Sequence, residues 1–224
     1  MLTVLRNLDW SILTNMLINA IPALACITVH EFSHGLAAYY LGDPTAKRMG
    51  RLSLNPIKHI DVLGLIMLIV CRFGWAKPVP VDMRYFKNPK AGMALTALAG
   101  PLSNIIFSAV CFLIYGFAYA FLYTSSAGDI ILSLIYATAY INISLALFNI
   151  IPIPPLDGSK ILFSLMPDDK YMLLMRYERY GMILLLFIIY TGISGSYLSN
   201  AVGFVVDRMF MLAEWTFSIA LKFV

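Results

Sequence analysis

Five residues inside an apolar stretch, His30-Glu31-Phe32-Ser33-His34, have the types and spacing of a metal-assisted hydrolase. On a helix, His30 and His34 lie one turn apart on one face and can grip a single metal ion. Glu31 is the neighbouring carboxylate that can handle the proton of a water held there. Ionisable side chains in a membrane-length apolar segment are costly, so each needs a reason. The plain alternative is two packed core histidines beside a buried glutamate. In a chain with three His in all, that coincidence of types and spacing is rare.

Catalytic zinc usually takes three protein ligands and a water, so this pair needs a partner from elsewhere. Asp157 is the carboxylate that stands out. It follows Pro152, Pro154 and Pro155 at the end of an apolar run. Unwound backbone at membrane depth is tolerated only where it is buried in protein or lines a cavity. The competing reading has Asp157 capping a helix that starts at Gly158. His59 sits in a polar loop beside Lys58 and Asp61 and reads as a solvated residue rather than a ligand.

One Zn2+ per chain, held by two neutral imidazoles and a carboxylate, would acidify a water and polarise a carbonyl. Glu31 would act as general base and then return the proton to the leaving amine. Two amides are further candidates, Asn149 near the proline break and Asn104 within another apolar run. Either could orient a ligand or donate to a developing oxyanion. Their structural alternative is interhelical hydrogen bonding, helped by the small residues Ala94, Ala97, Ala99 and Gly100.

The elements that must position these groups are membrane helices. Of 224 residues, 60% are hydrophobic and only 12% charged, and the mean hydropathy is +0.80. Soluble domains are far more polar, so the chain reads as an integral membrane protein set in a lipid bilayer. The net charge of +4 then reports loop orientation and gives no reason to expect nucleic acid as a partner. Three cysteines scattered through apolar segments imply no disulfide framework. The first apolar run lacks the basic flank and cleavage site of a signal peptide, so none is expected.

That run covers 10–41, with Pro22 as its expected kink, and Gly42-Asp43-Pro44 ends it. Residues 50–56 alternate like a short strand and turn. The apolar piece 62–70 is too short to span and reads as re-entrant or interfacial. In Trp75-Ala76-Lys77-Pro78-Val79-Pro80-Val81-Asp82 two alternating prolines forbid helix and fit an exposed edge strand. Spans are expected at 91–123 and 130–151, then a short amphipathic piece at 159–165, a polar loop at 168–179, and apolar segments at 181–193 and 201–223. The expected fold is an all-α polytopic membrane protein with about five transmembrane helices. A short re-entrant segment and small β-strand or hairpin elements in the 45–90 region complete it. One membrane domain would cover 1–224, with a catalytic core at 10–165 and two C-terminal helices within 172–224.

Charge sets the orientation. Nine of the 16 Lys and Arg lie in 42–90 and four in 152–180, while 124–129 and 194–200 carry none. If 62–74 does not cross, five spans put both basic regions on one face. The positive-inside rule then places the N-terminus outside, the C-terminus in the cytosol, and the site nearer the cytosolic face.

His30-Glu31-Phe32-Ser33-His34 combined with Asn149-Ile150-Ile151-Pro152-Ile153-Pro154-Pro155-Leu156-Asp157-Gly158 resembles the site-2 protease family of intramembrane zinc metalloproteases. Residues 50–56, 77–82 and 100–104 are similar to that family's compact prokaryotic members, and the resemblance covers most of 20–165. It implies His30, His34 and Asp157 as zinc ligands, Glu31 as the catalytic carboxylate and Asn149 as a supporting residue. It also implies transmembrane protein substrates and a prokaryotic plasma membrane. Many members have a span before the HExxH helix and a PDZ or CBS domain. Here that helix comes first and no segment is long or polar enough for such a domain, so substrate selection by one is not expected.

A helical substrate hides its peptide bonds and must be extended before hydrolysis. An exposed edge at 77–82, presenting Val79 and Val81, could hold it as an added strand; a proline-rich surface loop is the bland alternative. Two other functions fit less well. A membrane metal-ion transporter should show more polar or His positions along a pathway. A catalytically silent relative that only binds membrane proteins need not keep His30, Glu31, His34 and Asp157 together.

Overall fold

The computed structural model describes residues 10–71, 74–192 and 195–223. In chain order its helices are α1 (Trp10–Tyr40), α2 (Thr45–Arg48), α3 (Val62–Cys71), α4 (Pro89–Leu122), α5 (Ser126–Ile150), α6 (Asp157–Ser164), α7 (Asp168–Thr191) and α8 (Gly195–Ala220). Single 3-10 turns lie at Pro56–His59 and Met83–Tyr85.

Local chemistry sets the helix ends. Asn88 accepts the Ala91 N–H with Pro89 in the first turn, so α4 starts where a cap and a pre-set φ coincide. Ser125 caps α5 in the same way, accepting the Gly128 N–H. Helix α1 stops before Gly42, whose φ of 106° suits only a residue without Cβ. The prolines after Ile150 prevent α5 from continuing.

Helix α4 is the central post, packing against α1, α5, α6 and α8. Towards its C-terminal end Phe112, Ile143, Val202 and Val206 form a buried core between α4, α5 and α8. Facing outward, Leu95, Leu98, Leu102 and Ile106 form an exposed apolar stripe at helical spacing. Helices α4 and α5 are long and apolar enough to cross a membrane. The pair Tyr180–Thr191 and Gly195–Ala220, bent by 85°, makes a third span if counted as one. This is the build of a membrane protein, with two to three candidate spans among the described residues.

Two expectations change. The strand and hairpin pieces foreseen at 45–90 are absent, and the described residues hold no strand. A single antiparallel bridge joins Ile60 and Ala76. Asn55 accepts the Ile57 N–H with Pro56 next in line, and Asp82 accepts the Arg84 N–H, so a 3-10 turn closes off each would-be strand, and 77–82 stays extended without a ladder. The Arg84 guanidinium also donates to both Asp82 oxygens and holds that carboxyl below the usual carboxylate range. The polar loop foreseen at 168–179 is the first half of α7. Its polar composition hid a helix start, where Asp168 and Asp169 sit favourably at the positive end of the helix dipole. Lys90 reaches across from α4 to Asp168 at 2.9 Å and to the Met166 carbonyl, tying the two helix starts together.

Candidate metal centre

His30, His34 and Asp157 come together although 122 residues lie between His34 and Asp157. Their ligand atoms lie within 4.8 Å of one another, and the residues are only 5%, 9% and 7% exposed. The two Nε2 atoms are 3.0 Å apart, and Asp157 Oδ2 lies 3.1 Å from His30 Nε2 and 3.2 Å from His34 Nε2. Asp157 opens α6, whose capping position is Leu156 and whose first turn has no side-chain cap bond. Its carboxylate therefore faces the histidines and does not cap the helix. Lys160 Nζ stands 4.0 Å from the other oxygen, Oδ1.

The far side of each ring decides what the near side can do. His34 Nδ1 lies 2.7 Å from the Thr96 carbonyl, which can only accept, so Nδ1 carries the proton and Nε2 presents a lone pair. His30 Nδ1 lies 3.3 Å from Asn104 Oδ1, which fixes the same tautomer. With both rings neutral, two lone pairs and a carboxylate oxygen thus converge with no donor among them, and among the described residues the buried Oδ2 has no partner other than these rings. Three buried acceptors this close repel one another unless a cation sits between them. Their spacing is near the roughly 3.3 Å edge of a tetrahedron with bonds of about 2.0–2.1 Å. The donor set fits a metal of the zinc type.

Helix α4 makes room for this arrangement at one residue. A Cβ added to Gly100 would lie 2.5 Å from both Cε1 and Nε2 of His34 and 2.7 Å from His30 Cε1. The imidazoles occupy the space that any other residue would fill. Gly158 is equally constrained, since its Cβ would meet the Ile150 carbonyl at 2.0 Å as the chain folds back from α5.

A cavity of about 390 Å³ opens beside the centre, with His30, Glu31, Asn149, Leu156, Trp75 and Leu185 among its lining residues. Glu31 Oε2 accepts the Val79 N–H at 2.9 Å. The extended segment around Val79 is staked at several points. Arg51 Nη2 donates to the Lys77 and Pro78 carbonyls at 2.7 and 3.2 Å. The Lys77 N–H reaches the His59 carbonyl, and Asp43 Oδ2 takes the Asp82 N–H at 2.7 Å. Among the described residues no hydrogen bond engages the Val81 N–H.

Several residues sit differently from their reading in the sequence. His59 is not solvated: it is 2% exposed, and Nε2 donates to the Ser53 carbonyl at 2.7 Å. A histidine between Lys58 and Asp61 looks like loop surface, but the 3-10 turn rotates it inward against α1. Asn149 lines the cavity and bonds back to the Leu145 carbonyl, away from the three-residue cluster. Asn104 stands directly behind His30. Thr96 escaped notice because it acts through its carbonyl, which no side-chain pattern signals. Asp43, read only as part of a helix stop, and Arg51 were missed as braces; both are buried charged residues in a polar stretch.

The peptidase family M50 matches residues 119–192, a stretch that contains Asn149 and Asp157. "Putative zinc metalloprotease YwhC" of Bacillus subtilis is 40% identical over 182 residues, covering 79% of this chain and 81% of that protein. The chain belongs to peptidase family M50. A second relative, "Putative zinc metalloprotease Rip2" of Mycolicibacterium smegmatis, is 30% identical over 139 residues, covering 60% of this chain and 52% of its own length. Its Mycobacterium tuberculosis namesake is 28% identical over 143 residues. No solved structure matches this M50 peptidase.

Proposed function

We propose that this chain is a zinc metalloprotease that cleaves peptide bonds in or beside transmembrane segments of other membrane proteins. The observation that carries the reading is the convergence of three buried acceptors, His30 Nε2, His34 Nε2 and Asp157 Oδ2, with no donor between them. These residues hold the ion. Bound Zn2+ supplies Lewis-acid polarisation of the scissile carbonyl and acidifies the attacking water.

The chain's own groups do the rest. Glu31 takes the water's proton on its carboxylate and returns it to the leaving amine. The Val79 N–H steadies one Glu31 oxygen and leaves the other for that exchange. Thr96 and Asn104 hold the ring tautomers. Asn149 supports the cavity wall on the substrate side. Val79, expected at an exposed edge, is buried and gives its N–H to Glu31, so the 77–82 segment holds an unwound substrate by strand addition at Val81. Its bracing by Arg51 and Asp43 supports that role, because a docking edge has to stay extended when empty.

The five helices of 24 to 34 residues, α1, α4, α5, α7 and α8, are the proposed spans. Helix α3, ten residues long, is too short to cross. Basic residues in 42–90 and 152–180, three of the latter in the polar first half of α7, favour an N-terminus outside and a C-terminus in the cytosol of a prokaryotic plasma membrane.

The test is cleavage of a single-span substrate in detergent by wild type and by Glu31→Gln. The variant should keep its zinc and lose about 10²–10⁴-fold in kcat. Equal cleavage by the two proteins would overturn the mechanism.

A further inference from the structure

The metal centre occupies one end of the cavity beside it, and the other end is built from apolar side chains. On α1 the lining residues Ala23, Leu24 and Ile27 stand at helical spacing from His30 and Glu31. One face of the helix therefore carries a metal ligand, the carboxylate beside it and an apolar floor. By helical rise that floor runs roughly 10 Å from His30 towards the N-terminal end of α1. Leu145 and Phe148 of α5 add a wall. These five apolar residues are only half-buried, so a ligand in the cavity can touch them.

The polar groups at this end are spent on their own helices. Thr28 Oγ1 donates to the Leu24 carbonyl at 2.6 Å, and Asn149 Nδ2 to the Leu145 carbonyl at 2.9 Å. An occupant finds apolar surface to bury and few partners for hydrogen bonds. At about 390 Å³ the whole cavity is of the size that holds small ligands. Its continuity with the metal centre names the occupant. A peptide whose carbonyl lies at His30 and Glu31 has a neighbouring side chain within reach of the apolar end.

We propose that this apolar end is a specificity pocket, taking a bulky aliphatic or aromatic side chain of the substrate next to the scissile bond. The assignment rests on the peptidase reading above and adds a substrate class to it. Ala23 sets the depth of the pocket, and Ile27, one turn from Glu31, sets its width.

Two substitutions change the pocket in opposite senses. Ala23→Leu fills the far end, and Ile27→Ala opens the near one. The zinc-loaded full chain in detergent is given single-span peptides whose cut position has been mapped by mass spectrometry. Ala, Leu or Trp is placed in turn on each side of the cut. The readout is the ratio of kcat/KM between two peptides in one preparation. Unfolded or zinc-free protein lowers both values equally and leaves that ratio untouched.

On one side of the cut, the wild type should prefer Leu to Ala by about 10- to 100-fold. Ala23→Leu should cut that preference about tenfold, and Ile27→Ala should raise the Trp-to-Leu ratio about tenfold. Equal cleavage of the Ala and Leu peptides by wild type overturns the assignment and leaves the peptidase reading standing. So do wild-type ratios kept in either variant, the result expected if lipid acyl chains fill the cavity. A wild type that cleaves none of the peptides overturns the peptidase reading as well.

Discussion

Helix α4 meets its neighbours in two ways. Over its first half the contacts are Thr96, Gly100 and Asn104, set against the imidazoles of α1. Over its second half they are Phe112 and half-buried Tyr115, packed against Tyr136 of α5 and Phe210 of α8 at ring-centroid distances of 5.1 to 6.3 Å. The second half fills volume, and several side chains share the work. The first half gives up volume to its neighbour, and one missing Cβ sets the position of two rings. Aromatic packing tolerates adjustment because rotamers can shift together. A site built on close approach to backbone and on single hydrogen bonds has no such slack.

The largest effect expected from this contrast follows Gly100→Ala. The new methyl overlaps both imidazoles, and neither ring can retreat without losing its Nδ1 partner. Zinc affinity should fall by about 100-fold or more and cleavage with it. Metal content by mass spectrometry and a cleavage assay check this. Normal zinc loading would show that the rings are free to move, and the contrast would lose its basis.

A smaller effect on the same half is expected from Asn104→Ala. His30 keeps its position but loses the acceptor that fixes its tautomer, so zinc affinity should drop about tenfold. Asn104→Asp, which keeps an acceptor oxygen, should recover most of the loss. Competition with a chelator gives the ranking directly.

These cases also show what the sequence could and could not reveal. His30, Glu31, His34 and Asp157 were readable because ionisable groups in apolar surroundings are rare and their spacing is chemical. Long helices were readable from apolar runs, and α1 ends within a residue of its expected limit. Gly100 was visible only as a small residue suited to helix approach. That the approaching groups are imidazole rings depends on the register of α1 against α4, which no local pattern encodes. Thr96 works through its backbone and gives no sequence signal at all. His59 and the 168–179 stretch misled for one shared reason. Polar neighbours mark solvent exposure on average, but a cap or a 3-10 turn decides which way one side chain points.

The smallest effect on the metal is expected from the other half. Phe112→Ala removes a fully buried ring from the core shared by α4, α5 and α8, and should cost about 3–5 kcal/mol of stability. The centre lies two turns or more along the same helix, with its own contacts to α1 and α6, so zinc affinity of the folded protein should stay within about twofold of wild type. Thermal unfolding with and without excess zinc separates the two quantities. Both transitions should drop, while the upward shift produced by zinc, which reports affinity for the folded state, should keep its size. If that shift shrinks as it does in Asn104→Ala, the aromatic half takes part in setting the ring positions, and α4 acts as one rigid unit instead of two.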